Sequence, residues 1–174
     1  MLQIAVAGLY FINKVLLSLN KKSGWQIGIL ASVLAVFYFF SLKMYLLVGL
    51  EVGFMAIQTF GLLNHKEEAK HENLLYLVMS LLLILLYFVL KNSPFLEFSI
   101  SLDFILAIFF LAKKKIIIGW IIMLLGHFMM AYFTFQNQQH FFAFMQVLSI
   151  FVALFAIWRI RKFSIQWYKT RNLF

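Results

Sequence analysis

The chain has 174 residues, a formal net charge of +9, one proline and no cysteine, and 64% of it is hydrophobic against 12% charged. A soluble domain carries about 25% charged residues, and a fold of this size in water has too little interior to hide so much apolar surface. The composition excludes a water-soluble globular domain, and the absence of cysteine excludes disulfides, thiolate metal sites and a cysteine nucleophile. The expectation is an all-α integral membrane protein whose first partner is the lipid bilayer.

In chain order, apolar runs of roughly 17 to 22 residues, enough to cross about 30 Å of hydrocarbon, fall at 2–20, 25–41, 45–63, 73–90, 96–112, 117–135 and 140–158. They predict seven transmembrane helices. Because the runs repeat along the whole length, the first reads as a transmembrane helix and not as a cleaved signal peptide. The connections are short: Asn20 to Gly24, Ser41 to Met44, a charged stretch from Asn64 to Glu72, Asn92-Ser93-Pro94, Lys113-Lys114-Lys115, and Gln136 to Gln139. No room remains for a soluble domain.

Seven spans put the two ends on opposite sides and allow the basic residues to be sorted. One face holds Lys21, Lys22, Lys66, Lys70, Lys113, Lys114, Lys115, Arg159, Arg161, Lys162, Lys169 and Arg171, and the other only Lys43 and Lys91. The positive-inside rule then places the N-terminus outside and the C-terminus in the cytoplasm, in a cell (inner) membrane. The basic excess is thereby a topology and anionic-lipid signal, and no nucleic-acid partner is expected. Lys14, near the cytoplasmic end of the first span, is expected to snorkel to the interface.

A shift of 95 positions lays Gly24-Trp25 on Gly119-Trp120, Glu51-Val52 on Gln146-Val147 and Asn64 on Arg159, with span ends and loop lengths in step. This predicts a 3+1+3 parallel repeat of three-helix bundles: residues 1–63 as the first repeat, 64–95 as cytoplasmic loop and linker helix, 96–158 as the second repeat, and 159–174 as a basic cytoplasmic tail. Transporters use parallel repeats with the substrate path between the halves.

The segment Trp25-Gln26-Ile27-Gly28, followed by Phe39, Met44-Tyr45, Gly49-Leu50-Glu51-Val52 and Gly61, resembles the first half of the PnuC family of vitamin transporters. The second half is similar to it as well: a basic turn, Trp120, a polar residue seven positions later, a short polar outer turn, and Trp158 before a basic tail. The resemblance covers roughly residues 10 to 162. It implies the same SWEET-like, PnuC-like plan and facilitated diffusion of nicotinamide riboside or, in related branches, thiamine or riboflavin. It also implies a homo-oligomer, and a cytosolic kinase that traps the vitamin and acts only indirectly. The chain departs from the family pattern at Met123 and His127, where a Trp-x-x-x-Asn pattern is favoured, and at Glu51, where the family has Gln. It departs again at His140, Gln146 and Ser149, where tyrosines are common, and at Phe60-Gly61-Leu62, where Tyr-Gly-Trp is usual. These differences bear on the substrate and leave the scaffold intact.

A polar residue inside the hydrocarbon is costly unless paired or facing a wet cavity, so such residues are the candidate site. Glu51 shares a face with Met55 and Gln58 at i+4 and i+7. It reads either as a carboxylate for a cationic ring or as a Glu hydrogen-bonded to a neighbouring helix. His127, with Thr134 on its face, reads as a ligand contact or a helix tie, and has no second residue at metal-binding spacing. Gln146 and Ser149, with Ala153, form the polar face of the last span; such residues bind solutes or hold helices together. Trp120 and Trp25 belong to an interfacial aromatic belt or to a gate. Asp103 and Asn13 are expected to tie helices. The site predicted from these residues is one cavity shared by Glu51 and His127, with Gln58, Gln146, Ser32, Ser149 and Trp120 as further substrate contacts. No enzyme is expected, since there is no Gly-x-Ser-x-Gly, no His-Glu-x-x-His and no paired acidic motif, and no catalytic residue, metal or cofactor is assigned. The function expected is a vitamin facilitator working by alternating access; the alternative is a non-transporting membrane scaffold on the same fold.

Overall fold

The computed structural model describes residues 2–41, 43, 45–65, 72–90, 95–138 and 140–171. All regular structure among them is helical: α1 (Leu2–Ser18), α2 (Lys22–Ser41), α3 (Tyr45–Leu63), α4 (Glu72–Leu90), α5 (Phe95–Ala112), α6 (Ile116–Gln136) and α7 (His140–Arg171). α2, α5, α6 and the Phe142–Lys162 part of α7 have the length and hydropathy of membrane crossings, while Ile4–Ser18, Val48–Leu63 and Glu72–Phe88 are shorter apolar helices. Lys66, Lys70, Lys91, Pro94, Met44 and Gln139, which entered the sequence reading, lie outside the described residues. One boundary differs clearly from the sequence expectation: α7 runs 32 residues, well past position 158. Hydropathy marks where lipid contact ends, whereas an α-helix continues into water wherever its backbone remains hydrogen-bonded.

The helix ends are set by left-handed residues. Asn20 (φ 54°) and Lys114 (φ 58°) close α1 and α5. The amide of Lys21 donates to Leu16 O and that of Asn20 to Leu17 O; Lys115 and Lys114 repeat the pattern on Phe110 O and Leu111 O. This Schellman arrangement satisfies carbonyls that a helix end otherwise leaves open in hydrocarbon. At the opposite ends, Lys43 (φ 59°) and Gln138 (φ 59°) donate to Phe40 O and Phe135 O.

Six helices form a closed ring in the order α1, α2, α3, α5, α6, α7, with α7 returning against α1 and α4 lying outside against α3 and α5. Each middle helix approaches its neighbours through small residues. α2 buries Gly24, Gly28, Ala31, Ser32 and Ala35, and α6 buries Gly119 and Gly126. A Cβ on Gly24 would stand 2.9 Å from Leu17, and one on Gly119 would stand 2.7 Å from Leu111. Close approach of this kind replaces the hydrophobic driving force that helices lack in lipid. The Trp25 ring covers Gly61, where a Cβ would meet it at 2.6 Å. α4 presents Leu75, Met79, Leu82 and Leu86 to the bundle and is exposed along Leu74, Leu77, Leu81, Ile84 and Phe88. At its first turn Lys113 pairs with Glu72 (3.1 Å) and donates to the Tyr76 hydroxyl. The Tyr76 hydrogen bond and the Glu72 carboxylate hold the Lys113 ammonium above the ordinary lysine range. So many large apolar side chains on the outside, among them Phe37, Phe95, Phe135 and Phe151, fit a lipid-facing surface and not a wetted one.

Candidate functional site

α1 carries Tyr10, Asn13 and Lys14 within one turn and a half, and all three open on a cavity of about 600 Å³ inside the ring. α2 adds Tyr38 and Phe39, α3 adds Glu51, Phe54 and Gln58, α5 adds Phe104, α6 adds Met123 and Met130, and α7 adds Gln146 and Ser149. Every helix of the ring contributes, and α4 does not.

The first three helices hold a directed hydrogen-bond chain. The Tyr10 hydroxyl donates to the Glu51 carboxylate. Its hydrogen thus engaged, it accepts from Ser32 Oγ at 3.0 Å, and Ser32 Oγ accepts in turn from Gln58 Nε2 at 3.2 Å. Ser32 is wholly buried, so this chain satisfies a hydroxyl that water never reaches. Gln58 Oε1 has no partner among the described residues, and it rests where a Cβ on Gly28 would stand 1.6 Å away. Glycine at 28 is what lets the amide lie flat on α2. Asn13 Nδ2 donates to Gly24 O at 2.8 Å and ties α1 to α2.

The last three helices hold a shorter chain. His127 Nδ1 lies 2.7 Å from Gln146 Oε1, and with that oxygen accepting, Nδ1 carries the hydrogen. Nε2 is then a bare acceptor with no partner among the described residues. The ring stands edge-on to Phe104 at 5.0 Å between centroids. Across the seam between α1 and α7, Lys14 Nζ donates to Ser149 Oγ at 3.3 Å, whose own hydrogen goes to Met145 O at 3.0 Å. Arg159 Nη1 donates to Ser18 O at 2.7 Å on the same seam.

Of the residues predicted for the site, Glu51, Gln58, Gln146 and Ser149 line the cavity. Ser32 and His127 are fully buried one layer behind it and reach it through Tyr10 and Gln146. Trp120 stands elsewhere: with Trp25 and the turn residues Asn20 and Lys114, it lines a smaller cavity of about 160 Å³ at the opposite end of α2 and α6 from Lys43 and Gln138. On α3 it is Phe54, and not Met55, that accompanies Glu51 on the cavity wall. Lys14 does not snorkel; its ammonium turns inward to α7. Asp103 makes no hydrogen bond or ion pair among the described residues, contrary to the helix tie expected of it, and packs its Cβ 3.3 Å from the position a Gly126 Cβ would take. Tyr10, Lys14 and Phe104 were missed. The signal for the first two was present, since Tyr10, Asn13 and Lys14 at i, i+3 and i+4 make a polar stripe on one helix face.

A ring of apolar helices around a mid-span, mostly apolar cavity with a few converging polar groups and size for one small solute is the architecture of a polytopic membrane carrier. The chain matches the family model described as Nicotinamide mononucleotide transporter over residues 1–171, and it belongs to that family, the PnuC family. It is accordingly a membrane transporter and not an enzyme. No curated protein and no solved structure matches it significantly.

Proposed function

We propose that this chain is a facilitator for a small water-soluble vitamin of the class of nicotinamide riboside, thiamine or riboflavin. The solute binds in the central cavity and passes by alternating access between α1–α3 and α5–α7. The observation that carries this reading is the cavity itself: about 600 Å³, walled by both halves of the ring, with Glu51 and Gln146 facing it from α3 and α7. The starts Leu2, Lys22 and Tyr45 are followed 93, 94 and 95 residues later by Phe95, Ile116 and His140, which supports a parallel repeat with α4 as its linker. The basic residues of the turns at Lys21, Lys22 and Lys113–Lys115, with Arg159, support a cytoplasmic C-terminus in the inner membrane. In this reading Glu51 receives a cationic ring such as pyridinium or thiazolium, Gln58 and Gln146 supply amide contacts, Ser149 completes the wall, and Ser32 and His127 hold those groups in place. Trp120 belongs to the cytoplasmic gate. A cytosolic kinase that phosphorylates the vitamin would keep the flow inward, and a homo-oligomer is the expected assembly.

The test is a thermal-shift screen of the purified protein against the three vitamins, followed by uptake of any ligand found into proteoliposomes, since a ligand selective for the folded state raises its apparent stability. A saturable shift is expected with one of them, and Glu51→Gln, which keeps an acceptor for Tyr10 and removes the charge, should lower uptake at least ten-fold at equal insertion. A folded protein that neither shifts with nor carries any of the three would replace this reading with the membrane scaffold.

A further inference from the structure

A helix end leaves its last four carbonyls without an intrahelical amide, and beside hydrocarbon each must find another donor. At the end of α1 three are met locally: the amides of Leu19, Lys21 and Asn20 donate to Val15 O, Leu16 O and Leu17 O. The fourth, Ser18 O, receives no backbone amide among the described residues, and the Arg159 guanidinium of α7 donates to it at 2.7 Å. The end of α1 is thus completed by a side chain from the other half of the ring. The bond is charge-assisted, and the negative end of a helix dipole favours a cation at that place.

The halves of the ring meet at two seams, α1 against α7 and α3 against α5, and the two are built differently. The α3–α5 seam is bridged from outside: α4 packs on both of its helices, and Lys113 at the end of α5 joins the Glu72 carboxylate and the Tyr76 hydroxyl of α4. The residue 95 positions before Arg159 is Asn64, at the end of α3, and its Nδ2 donates to Phe60 O of its own helix. Over the α1–α7 seam no further helix lies among the described residues. That seam is crossed by Arg159 on Ser18 O and, deeper in the span, by Lys14 on Ser149 Oγ at 3.3 Å. Leu17 and Asn20, close on either side of Ser18, wall the smaller cavity, and Lys14, one turn deeper, lines the central one. Arg159 therefore holds the part of α1 that stands between the central cavity and the C-terminal face.

We propose that the α1–α7 seam is the one that parts toward the C-terminal face, with α3–α5 as the hinge, and that Arg159 is the bolt that holds it shut. This deepens the alternating-access reading above and rests on it; in that reading the C-terminal face is cytoplasmic. Ser18 O and the guanidinium lie at the ends of their spans, where water takes over both hydrogen bonds once they separate, so releasing the bolt costs little. Parting the α3–α5 seam would in addition strip α4 from one of the two helices it packs on. With Arg159 withdrawn, the end of α1 and the turn through Asn20 swing off α7, and the smaller cavity widens toward the central one. Arg159 touches no solute in this scheme. It is a positioning residue that sets how often the route to the C-terminal face is open.

The chain has no cysteine, which allows a labelling test that needs no vitamin. Met123 lines the central cavity, so Met123→Cys in the full chain supplies a single reporter thiol. A membrane-impermeant methanethiosulfonate is then applied to membrane vesicles of each orientation, one face at a time. Arg159→Leu should raise the labelling rate from the C-terminal face by about ten-fold or more, the loss of one charge-assisted hydrogen bond, and should not raise it from the other face. Arg159→Lys, which keeps a cationic donor, should return most of the way to the parent rate. Lys113→Met, which loosens α4 at the hinge, should leave the rate within about two-fold of the parent. Should Arg159→Leu fail to insert, Arg159→Gln is read by the same criteria. An unchanged rate would deny the bolt, a rise from both faces together would report a loosened fold, and an equal rise in Lys113→Met would move the parting seam; each overturns the proposal. A one-sided rise in a protein that carries none of the three vitamins would uphold the bolt and remove the vitamin reading. Vitamin uptake with no one-sided rise would do the reverse.

Discussion

Helices α1–α3 and α5–α7 occupy the ring in the same order, yet they solve the problem of buried polarity differently. A sequence offset of 95 pairs Ser32 with His127, Glu51 with Gln146, and Gly28 with Met123. In the first triple the acid is reached through small residues, a hydroxyl on Ser32 and bare backbone at Gly28, and Tyr10 spans the gap to bond both Ser32 and Glu51. In the second, a full imidazole on α6 reaches the amide on α7 directly, and the large Met123 side chain is buried on the same helix. The first triple thus holds a carboxyl group and the second an imidazole–amide pair, and the difference resides in side-chain volume as much as in polarity.

Breaking the tighter side should cost most. A side chain at Gly28 must displace both the Gln58 amide and Asn13 Nδ2, which a Cβ would approach at 1.6 and 2.5 Å. Gly28→Leu is therefore expected to cost upwards of about 3 kcal/mol, at the overpacking extreme, or to prevent recovery of folded protein, as size-exclusion and thermal unfolding would show. Met123→Leu at the counterpart position conserves volume and should cost under about 1.5 kcal/mol by the same measurements. If both substitutions were equally tolerated, the close approach of α2 to Gln58 would not be what holds the first triple together.

Removing the polar groups sharpens the contrast. His127→Ala empties a fully buried ring and strands Gln146 Oε1, so a loss of about 3 kcal/mol is expected from the cavity and the orphaned acceptor together. Ser32→Ala deletes little volume and two hydrogen bonds, which inside membranes average about 0.6 kcal/mol each, so a loss near 1 kcal/mol is expected. Chemical or thermal unfolding in one detergent would rank them. A larger loss for Ser32→Ala would mean that the Gln58-Ser32-Tyr10-Glu51 chain is cooperative well beyond its pairwise bonds.

Much of the fold was legible because run length in an apolar sequence is a direct measure of bilayer thickness; α3, α4 and α5 begin and end within a residue or so of their apolar runs. What hydropathy could not mark was the end of α7, which depends on backbone hydrogen bonds and not on lipid. In the site, Glu51, Gln58, Gln146 and Ser149 were legible as polar residues in hydrocarbon. Lys14 was misassigned because its position near a helix end says where its Cα lies, while the direction of a four-carbon chain is decided by the tertiary neighbour, Ser149, found 135 residues away. Trp120 was read as an interfacial belt or gate residue and counted among the substrate contacts, but the α2 and α6 residues that open each span sit a full two turns from the polar layer.

The smallest expected difference lies at the turns, where the two triples come closest to identity. Asn20 and Lys114 share a left-handed backbone and the same pair of Schellman bonds, and their side chains tolerate that conformation unequally. Asparagine visits this region readily and lysine does not, since a Cβ there crowds the following carbonyl. Lys114→Gly should stabilise by up to about 1 kcal/mol, offset in part by the extra freedom glycine gives the unfolded chain and by loss of the Lys114 side chain's own interaction, whereas Asn20→Gly should be within about 0.5 kcal/mol of neutral. Paired thermal unfolding curves in one detergent would read the difference. A gain at Asn20 as large as that at Lys114 would show that the two turns are strained alike, and that the choice of asparagine in the first half carries no conformational advantage over lysine in the second.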